Sequence, residues 1–258
     1  MSLCGKILKV ACPLPKIEDF ERYLFVAAHP DDIEVGAGAT VAKLAAAGKK
    51  ICFLICTDGR FGFENLSDGT SIDELVEIRK KETIKGAGIM GVSDVRFLNL
   101  SDGGFYSQEE LMQGIIKTIA DFQPDIMLAP DPCVISECHI DHLNIGDAVR
   151  RTSYLAHHDA IMRNHGAYGA PVKAVAFFMT SHFNTYVKTD GYLDTQLSAL
   201  FDAHVSQFPA GCKDGESIRK YIKIRSKFNG IRNLCRDAEG FRILGLTHMH
   251  CLPEAGDW

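Results

Sequence analysis

Short apolar runs alternate along the chain with longer stretches of helical spacing. Arg22 to Ala28 (RYLFVAA) and Lys50 to Cys56 (KICFLIC) are continuous apolar runs bounded by polar residues, the pattern of strands buried on both faces. Val95 to Leu98, Asp125 to Ala129 and Val172 to Thr180 read the same way. Between them lie Gly38 to Ala47, Asp73 to Met90, Gln108 to Phe122 and His139 to Ala156, each with helical periodicity. Gly48 stops the first of these helices and Pro124 the third. Two further helical stretches follow, at about Leu193 to Gln207 and Glu216 to Arg236. The polar, Gly-rich region 59 to 72 reads as a mobile loop.

This alternation predicts an α/β layer fold with a mostly parallel sheet and helices on both faces. There is no internal repeat, no low-complexity linker and no clean domain boundary. One domain is expected over residues 1–258, with a core at about 20–180 and a helical C-terminal extension at about 190–258. In open parallel sheets ligands bind outside the carboxyl ends of the strands. The segments just after Ala28, Cys56 and Ala129 are therefore where chemistry is expected.

Composition narrows the function classes. A net charge of −5 gives no basic footprint for nucleic acid and no polybasic signal for anionic lipid. No stretch approaches the roughly 20 apolar residues of a membrane helix. Met1 to Leu14 has scattered Lys and Pro and no long apolar run, so no signal peptide is expected. The nine cysteines form no Cys-x-x-Cys pair, which argues against a disulfide framework and for a reducing, cytoplasmic setting.

Two segments concentrate ionisable groups. Ala27-Ala28-His29-Pro30-Asp31-Asp32-Ile33-Glu34 directly follows a buried strand. Carboxylates are costly in a desolvated position unless something compensates them, and a divalent cation would. A turn at His29-Pro30 can aim His29 and Asp32 at one metal, leaving Asp31 beside it to take a proton from a water. Glu34 is expected to hold neighbouring donors rather than the metal. The bland alternative is a helix capped by Asp.

The second segment, Cys138-His139-Ile140-Asp141-His142, follows the Asp125–Ala129 strand after a nine-residue loop. At the start of a helix, His139 and His142 share a face. One could bind metal while the other faces substrate, and Asp141 could hydrogen-bond an imidazole. Alone, His-x-x-His is equally well two surface histidines. Taken together, His29, Asp32 and His142 make a two-His, one-carboxylate set that suits catalytic zinc and also non-haem iron.

The strand followed by Ala-His-Pro-Asp-Asp-x-Glu, with His-x-Asp-His about a hundred residues later, resembles the LmbE-like (PIG-L) deacetylases over roughly residues 22 to 160. The resemblance implies a Rossmann-like fold and removal of an acetyl group from N-acetylglucosaminyl or related N-acetylated small molecules. It implies one Zn2+ per chain, with Fe2+ or another divalent metal as the alternative, held by His29, Asp32 and His142. Asp31 is the implied general base, and His139, with Asp141 beside it, the implied helper of oxyanion or leaving group. Arg79, in Arg79-Lys80-Lys81-Glu82, matches an Arg-x-x-Glu pattern near the family's site and is a substrate-binding candidate; an exposed ion pair with Glu82 or Glu77 is the alternative. Ala238-Glu239-Gly240-Phe241 resembles a late family segment of underived role. Ile140 stands where many relatives have Pro, and the loop 131–138 matches no subfamily. A homo-oligomer is expected by the same resemblance.

Other readings compete. The same site could serve a metal-dependent amidase acting on another amide conjugate, or a metal-binding protein without activity. A nucleotide-binding Rossmann protein would use Gly36-Ala37-Gly38, but Val41 replaces the third Gly and two carboxylates would repel a pyrophosphate. Those glycines more simply let a helix pack close to the sheet. His157, His158, His165 and His204 are expected on the surface. His248 and His250 are expected on one face of a strand, and Cys133 and Cys138 as buried thiols. Phe61, Phe63, Phe105 and Tyr106 lie in loops where an aromatic wall could meet a sugar ring.

Overall fold

The computed structural model describes residues 3–62 and 69–258; Phe63, one of the candidate wall residues, and the middle of the loop expected at 59 to 72 lie outside them. The strands are β1 (Arg22–Ala27), β2 (Lys50–Thr57), β3 (Asp94–Leu100), β4 (Ile126–Pro130), β5 (Ala174–Phe178), β6 (Thr185–Lys188) and β7 (Ala238–Gly245). They form one sheet in the order β3-β2-β1-β4-β5-β7-β6. β1 to β5 run parallel, while β7 pairs antiparallel with both β5 and β6. Among the described residues the helices are α1 (Leu3–Ala11), α2 (Asp32–Ala46), α3 (Ile72–Ile89), α4 (Gln108–Phe122), α5 (Ile140–Leu155), α6 (Asp159–Asn164), α7 (Leu193–Phe201), α8 (Lys213–Arg232) and α9 (Leu246–His250).

Successive strand residues point to opposite faces, so each apolar run feeds two cores. Tyr23, Phe25, Phe53, Ile55, Leu128 and Phe178 meet Ile33, Ala37 and Val41 of α2 and Ala199 of α7 on one face. Leu24, Val26, Leu54, Met127 and Val175 meet α4 and α5 on the other. Chain order reverses between β1 and β4, and the crevice at that switch point receives both ionisable segments. Gly36 lets α2 lie against the sheet, because a Cβ there would come within 2.3 Å of the Phe178 ring.

Four expectations are corrected. The helix expected from Gly38 begins at Asp32, so Asp32 and Glu34 belong to its first turn, where carboxylates complement the helix dipole. Gly36-Ala37-Gly38 then lies inside a helix rather than in a strand-to-helix turn, which removes the nucleotide-binding reading. The C-terminal region is not only helical, since β7 inserts between β5 and β6 and buries Phe241 and Ile243 completely. His248 and His250 sit on α9 rather than on a strand, because the β7 ladder ends at Gly245.

Candidate active site

β1 ends at Ala27, and the chain turns through His29-Pro30 into α2. Asp31 occupies the N-cap position of α2 but makes no side-chain capping bond, so the bland capping role fails for it. Asp32 instead folds back, its Oδ2 accepting the His29 backbone N–H at 2.7 Å. That bond fixes the relative position of two ligand candidates three residues apart.

The third candidate arrives from β4. Asp131 anchors the loop that follows by accepting from the Cys133 N–H at 2.9 Å and the Thr180 hydroxyl at 2.6 Å. α5 then starts with His139 as its N-cap and brings His142 over α2. His142 Nε2 lies 3.2 Å from Asp32 Oδ1 and 3.3 Å from His29 Nδ1. His29 Nδ1 is 3.7 Å from Asp32 Oδ2. Tetrahedral ligands about 2.05 Å from a zinc ion are separated by about 3.3 Å, the spacing at which His142 Nε2 meets Asp32 Oδ1 and His29 Nδ1. His29, Asp32 and His142 thus form a group that could hold a metal ion.

The outward nitrogen of each imidazole meets a carboxylate. His29 Nε2 is 3.3 Å from Asp141 Oδ2, and His142 Nδ1 is 2.9 Å from Glu137 Oε2. Each carboxylate leaves the inner nitrogen free of a proton when a metal is bound, the usual arrangement behind ligating histidines. Asp141 is fully buried and also accepts the Gly103 and Gly104 N–H groups at 2.7 and 2.9 Å and the Tyr106 hydroxyl at 2.8 Å. Gly103 and Gly104 have φ of 80° and 79°, a left-handed pair whose successive amides cradle the carboxylate.

Asp31 has a different environment. Its Oδ2 accepts from Arg79 Nη2 at 3.1 Å, while Arg79 Nη1 donates to the Gly59 carbonyl at 3.1 Å. Arg79 is only 4% exposed, so the alternative of an exposed helix ion pair fails; Glu77 pairs with Lys80, and Glu82 binds Ser206. Gly59 has φ of 66°, and a Cβ there would come within 2.3 Å of Arg79 Nη1. Arg79 therefore reaches the proton-taking candidate rather than open solvent.

Burial pushes the Asp31 carboxyl up, Arg79 pulls it back down, and the Asp32 charge adds to the rise. Burial would also raise Asp32, but His142 and His29 more than offset it and hold that carboxyl well below the usual range. His29 is pushed up to about 10 and His142 to about 9, because neighbouring carboxylates outweigh burial. Burial lowers His139, and the charges of His29 and His142 add to that. The carboxylates around His29 and His142 thus favour positive charge between them.

Several contributors had no local signal in the sequence. Glu137 lies in the loop 131–138 that matches no subfamily pattern, and only its spacing of five residues before His142 hints at contact. Gly103 and Gly104 drew no reading from the sequence. His204 is entirely buried, not on a helix surface, with Nε2 3.4 Å from Glu34 Oε1. α7 ends at Phe201, which turns His204 inward. Cys133 and Cys138 are exposed rather than buried, since the loop that carries them runs over the surface.

The family model described as GlcNAc-PI de-N-acetylase, PIG-L, matches residues 24–153, which include both ionisable segments. The chain belongs to this family. The diacetylchitobiose deacetylase of Thermococcus kodakarensis is 30% identical over 241 residues, covering 92% of this chain and 88% of the relative. A 1D-myo-inositol 2-acetamido-2-deoxy-alpha-D-glucopyranoside deacetylase of Kineococcus radiotolerans is 29% identical over 186 residues, covering 61% of this chain and 50% of the relative. Among solved structures, the N,N'-diacetylchitobiose deacetylase from Pyrococcus horikoshii, complexed with its inhibitor MPG, superposes with a TM-score of 0.85 at 26% identity. That match covers 98% of this chain and 97% of the other. The relatives are thus deacetylases, hydrolases of an amide C–N bond, and the mostly parallel seven-stranded sheet is the architecture of that family.

Proposed function

We propose that this chain is a zinc-dependent N-deacetylase of an N-acetylglucosaminyl small molecule, with one ion held by His29, Asp32 and His142. The observation that carries the proposal is the convergence of those three side chains, with His142 Nε2 3.2 Å from Asp32 Oδ1 and 3.3 Å from His29 Nδ1, beside the Asp31 carboxylate held by Arg79. When bound, the metal polarises the amide carbonyl and lowers the pKa of a water to about 7. Fe2+ would meet the same donor set.

The residues divide the remaining work. Asp31, steadied by Arg79, takes a proton from the attacking water as its oxygen adds to the carbonyl carbon. His139 Nδ1 lies 3.3 Å from the Asp141 N–H, which makes Nδ1 an acceptor and leaves the ring proton of a neutral imidazole on Nε2. That N–H is available to the carbonyl oxygen as negative charge develops there. The C–N bond then breaks, the proton passes to the nitrogen, and acetate and a free amine leave. Asp141, buried behind His29, acts as a positioning residue rather than on substrate. Arg79, bound to Asp31 and the Gly59 carbonyl, acts through Asp31.

A cytoplasmic address and a homo-oligomeric state belong to the same proposal. The first is supported by Cys52 and Cys56, free thiols buried in the core whose pKa burial pushes up, so that they pack as small apolar groups. The second is supported by an apolar stripe on α8, where Ile224 is 69% and Ile231 73% exposed. Acetate release from N-acetylglucosamine derivatives, with metal-stripped and zinc-restored protein, tests the activity. Zinc restores release, and Asp31→Asn keeps stoichiometric zinc while losing about 10²- to 10⁴-fold in kcat. Loss of the metal in that variant, or turnover at the original rate, contradicts the role given to Asp31.

A further inference from the structure

Arg79 can steady Asp31 only while two pieces of backbone stay in place: α3, which carries it, and the turn 59–62, which receives its other end. Arg79 Nη1 donates to the Gly59 carbonyl, and the same carbonyl accepts the Gly62 N–H at 3.2 Å. The turn closes tightly on the guanidinium, since a Cβ on Gly62 would lie 3.0 Å from Arg79 Nη1. On α3, Glu82 follows Arg79 by three residues and shares its buried face. A carboxylate buried there needs donors.

One short segment holds both pieces. Beyond α7, Ser206 donates to Glu82 twice, from its N–H to Oε1 at 2.8 Å and from its hydroxyl to Oε2 at 2.6 Å. Gln207 Nε2 donates to the Gly62 carbonyl at 3.1 Å. His204 pins the segment to α2, its Nε2 3.4 Å from Glu34 Oε1, while its carbonyl accepts the Phe208 N–H at 2.9 Å. Gly86 of α3 makes room for that contact, because a Cβ there would come within 2.7 Å of Glu34 Oε1 and 3.1 Å of His204 Nε2. Residues 204–207 thus bind α2, α3 and the turn 59–62, the three pieces that meet at the Asp31–Arg79 contact. Apolar packing would join them as well, but a buried polar network also fixes their relative position.

We propose that Ser206 and Gln207, anchored by His204, are positioning residues for the general base, an inference that rests on the role given to Asp31. They hold the Arg79 guanidinium on Asp31 from opposite ends, Ser206 through the helix that carries it and Gln207 through the turn that receives it. With either hold removed, Arg79 keeps its charge but loses its fixed direction. Asp31 then swings relative to the attacking water, and small misplacements of this kind are costly in rate. Neither residue is among those given to the metal or the carbonyl, so the loss falls on kcat rather than KM.

The test compares Ser206→Ala and Gln207→Ala with the wild type, each loaded with stoichiometric zinc. Each substitution is expected to lower kcat for acetate release from an N-acetylglucosamine derivative about tenfold, with KM unchanged. In an Arg79→Lys background, where the side chain keeps its charge but cannot bridge Asp31 and Gly59, the loss shrinks. A wild-type kcat, a change in KM alone, or equal losses in both backgrounds overturns the proposal. Nitrogen-15 spectra of the arginine side chains give a readout independent of turnover. Arg79, bonded at both ends, shows separate Nη signals, identified by their disappearance in Arg79→Lys, and these merge in both alanine variants. Merging signals with no acetate from any sugar keep the clamp and defeat the deacetylase reading. Acetate release with Arg79 signals unaltered in both variants overturns the clamp and leaves that reading standing.

Discussion

On the proposed reading, Asp141 serves the site by positioning His29 rather than by touching substrate. Its two oxygens meet four groups, His29 Nε2, the Gly103 and Gly104 amides and the Tyr106 hydroxyl, at 2.7 to 3.3 Å. Only an acceptor on both oxygens can satisfy that arrangement. In Asp141→Asn the amide NH2 must face at least one donor, and the His29 tautomer loses its partner. Zinc affinity, measured by competition with a chromogenic chelator, is expected to fall about 10- to 100-fold, with the fold retained by circular dichroism. Unchanged affinity would show that His29 is oriented by its own turn alone. At this scale the sequence is informative wherever ligands lie close in the chain. His29 with Asp32 stands out by spacing directly after a buried strand, and His139 with His142 only when read together with that first segment. Glu137, the glycine pair and the Asp31–Arg79 contact do not. Gly103 and Asp141 are 38 positions apart, Asp31 and Arg79 48, and nothing local to either partner encodes the meeting.

Among the elements, legibility follows burial. β1, β2 and β4 are covered on both faces, so their apolar runs are unbroken and their limits were readable to within a residue or two. β7 was not readable, because its run is interrupted by Glu239, Gly240 and Arg242. Gly240 and Glu239 each have a structural reason. Gly240 lies under Phe183, where a Cβ would come within 2.6 Å of the ring. Glu239 is 9% exposed and accepts the Ala39 and Thr40 N–H groups of α2 at 3.2 and 2.7 Å. A buried carboxylate thus joins the last strand to the helix that begins with Asp32, which gives the late family segment a role. Glu239→Ala withdraws the acceptor from two buried amides and is expected to destabilise the protein by about 2–4 kcal/mol, read as a lower urea midpoint. Glu239→Gln retains one acceptor and should fall between the two. An Ala variant with the wild-type midpoint would mean that α2 closes those bonds internally.

For the whole molecule, the question is what covers α8. Its inner face, with Ile222, Ser226 and Asn229, packs against the domain, while Tyr221, Ile224, Phe228 and Ile231 recur at intervals of three and four on the outer face. Leu234, 93% exposed, extends the stripe just past the helix end. Because apolar residues lie on both faces, the helix carries no amphipathic signature, and the sequence pattern alone could not separate a packed face from an exposed one. Five large exposed side chains in one stripe form a contiguous apolar patch of the kind that marks an interaction surface rather than scattered surface residues. An isologous contact between copies is therefore the simplest cover, since it hides the same patch on each. Sedimentation equilibrium should show more than one chain per particle at micromolar concentration. Phe228→Asp with Ile231→Asp places four charges across the pairing surface and should yield monomers. Those positions are already solvated in one copy, so the substitutions leave its core intact and its unfolding transition close to wild type. A particle whose mass is unaffected by the double substitution would move the contact to another face.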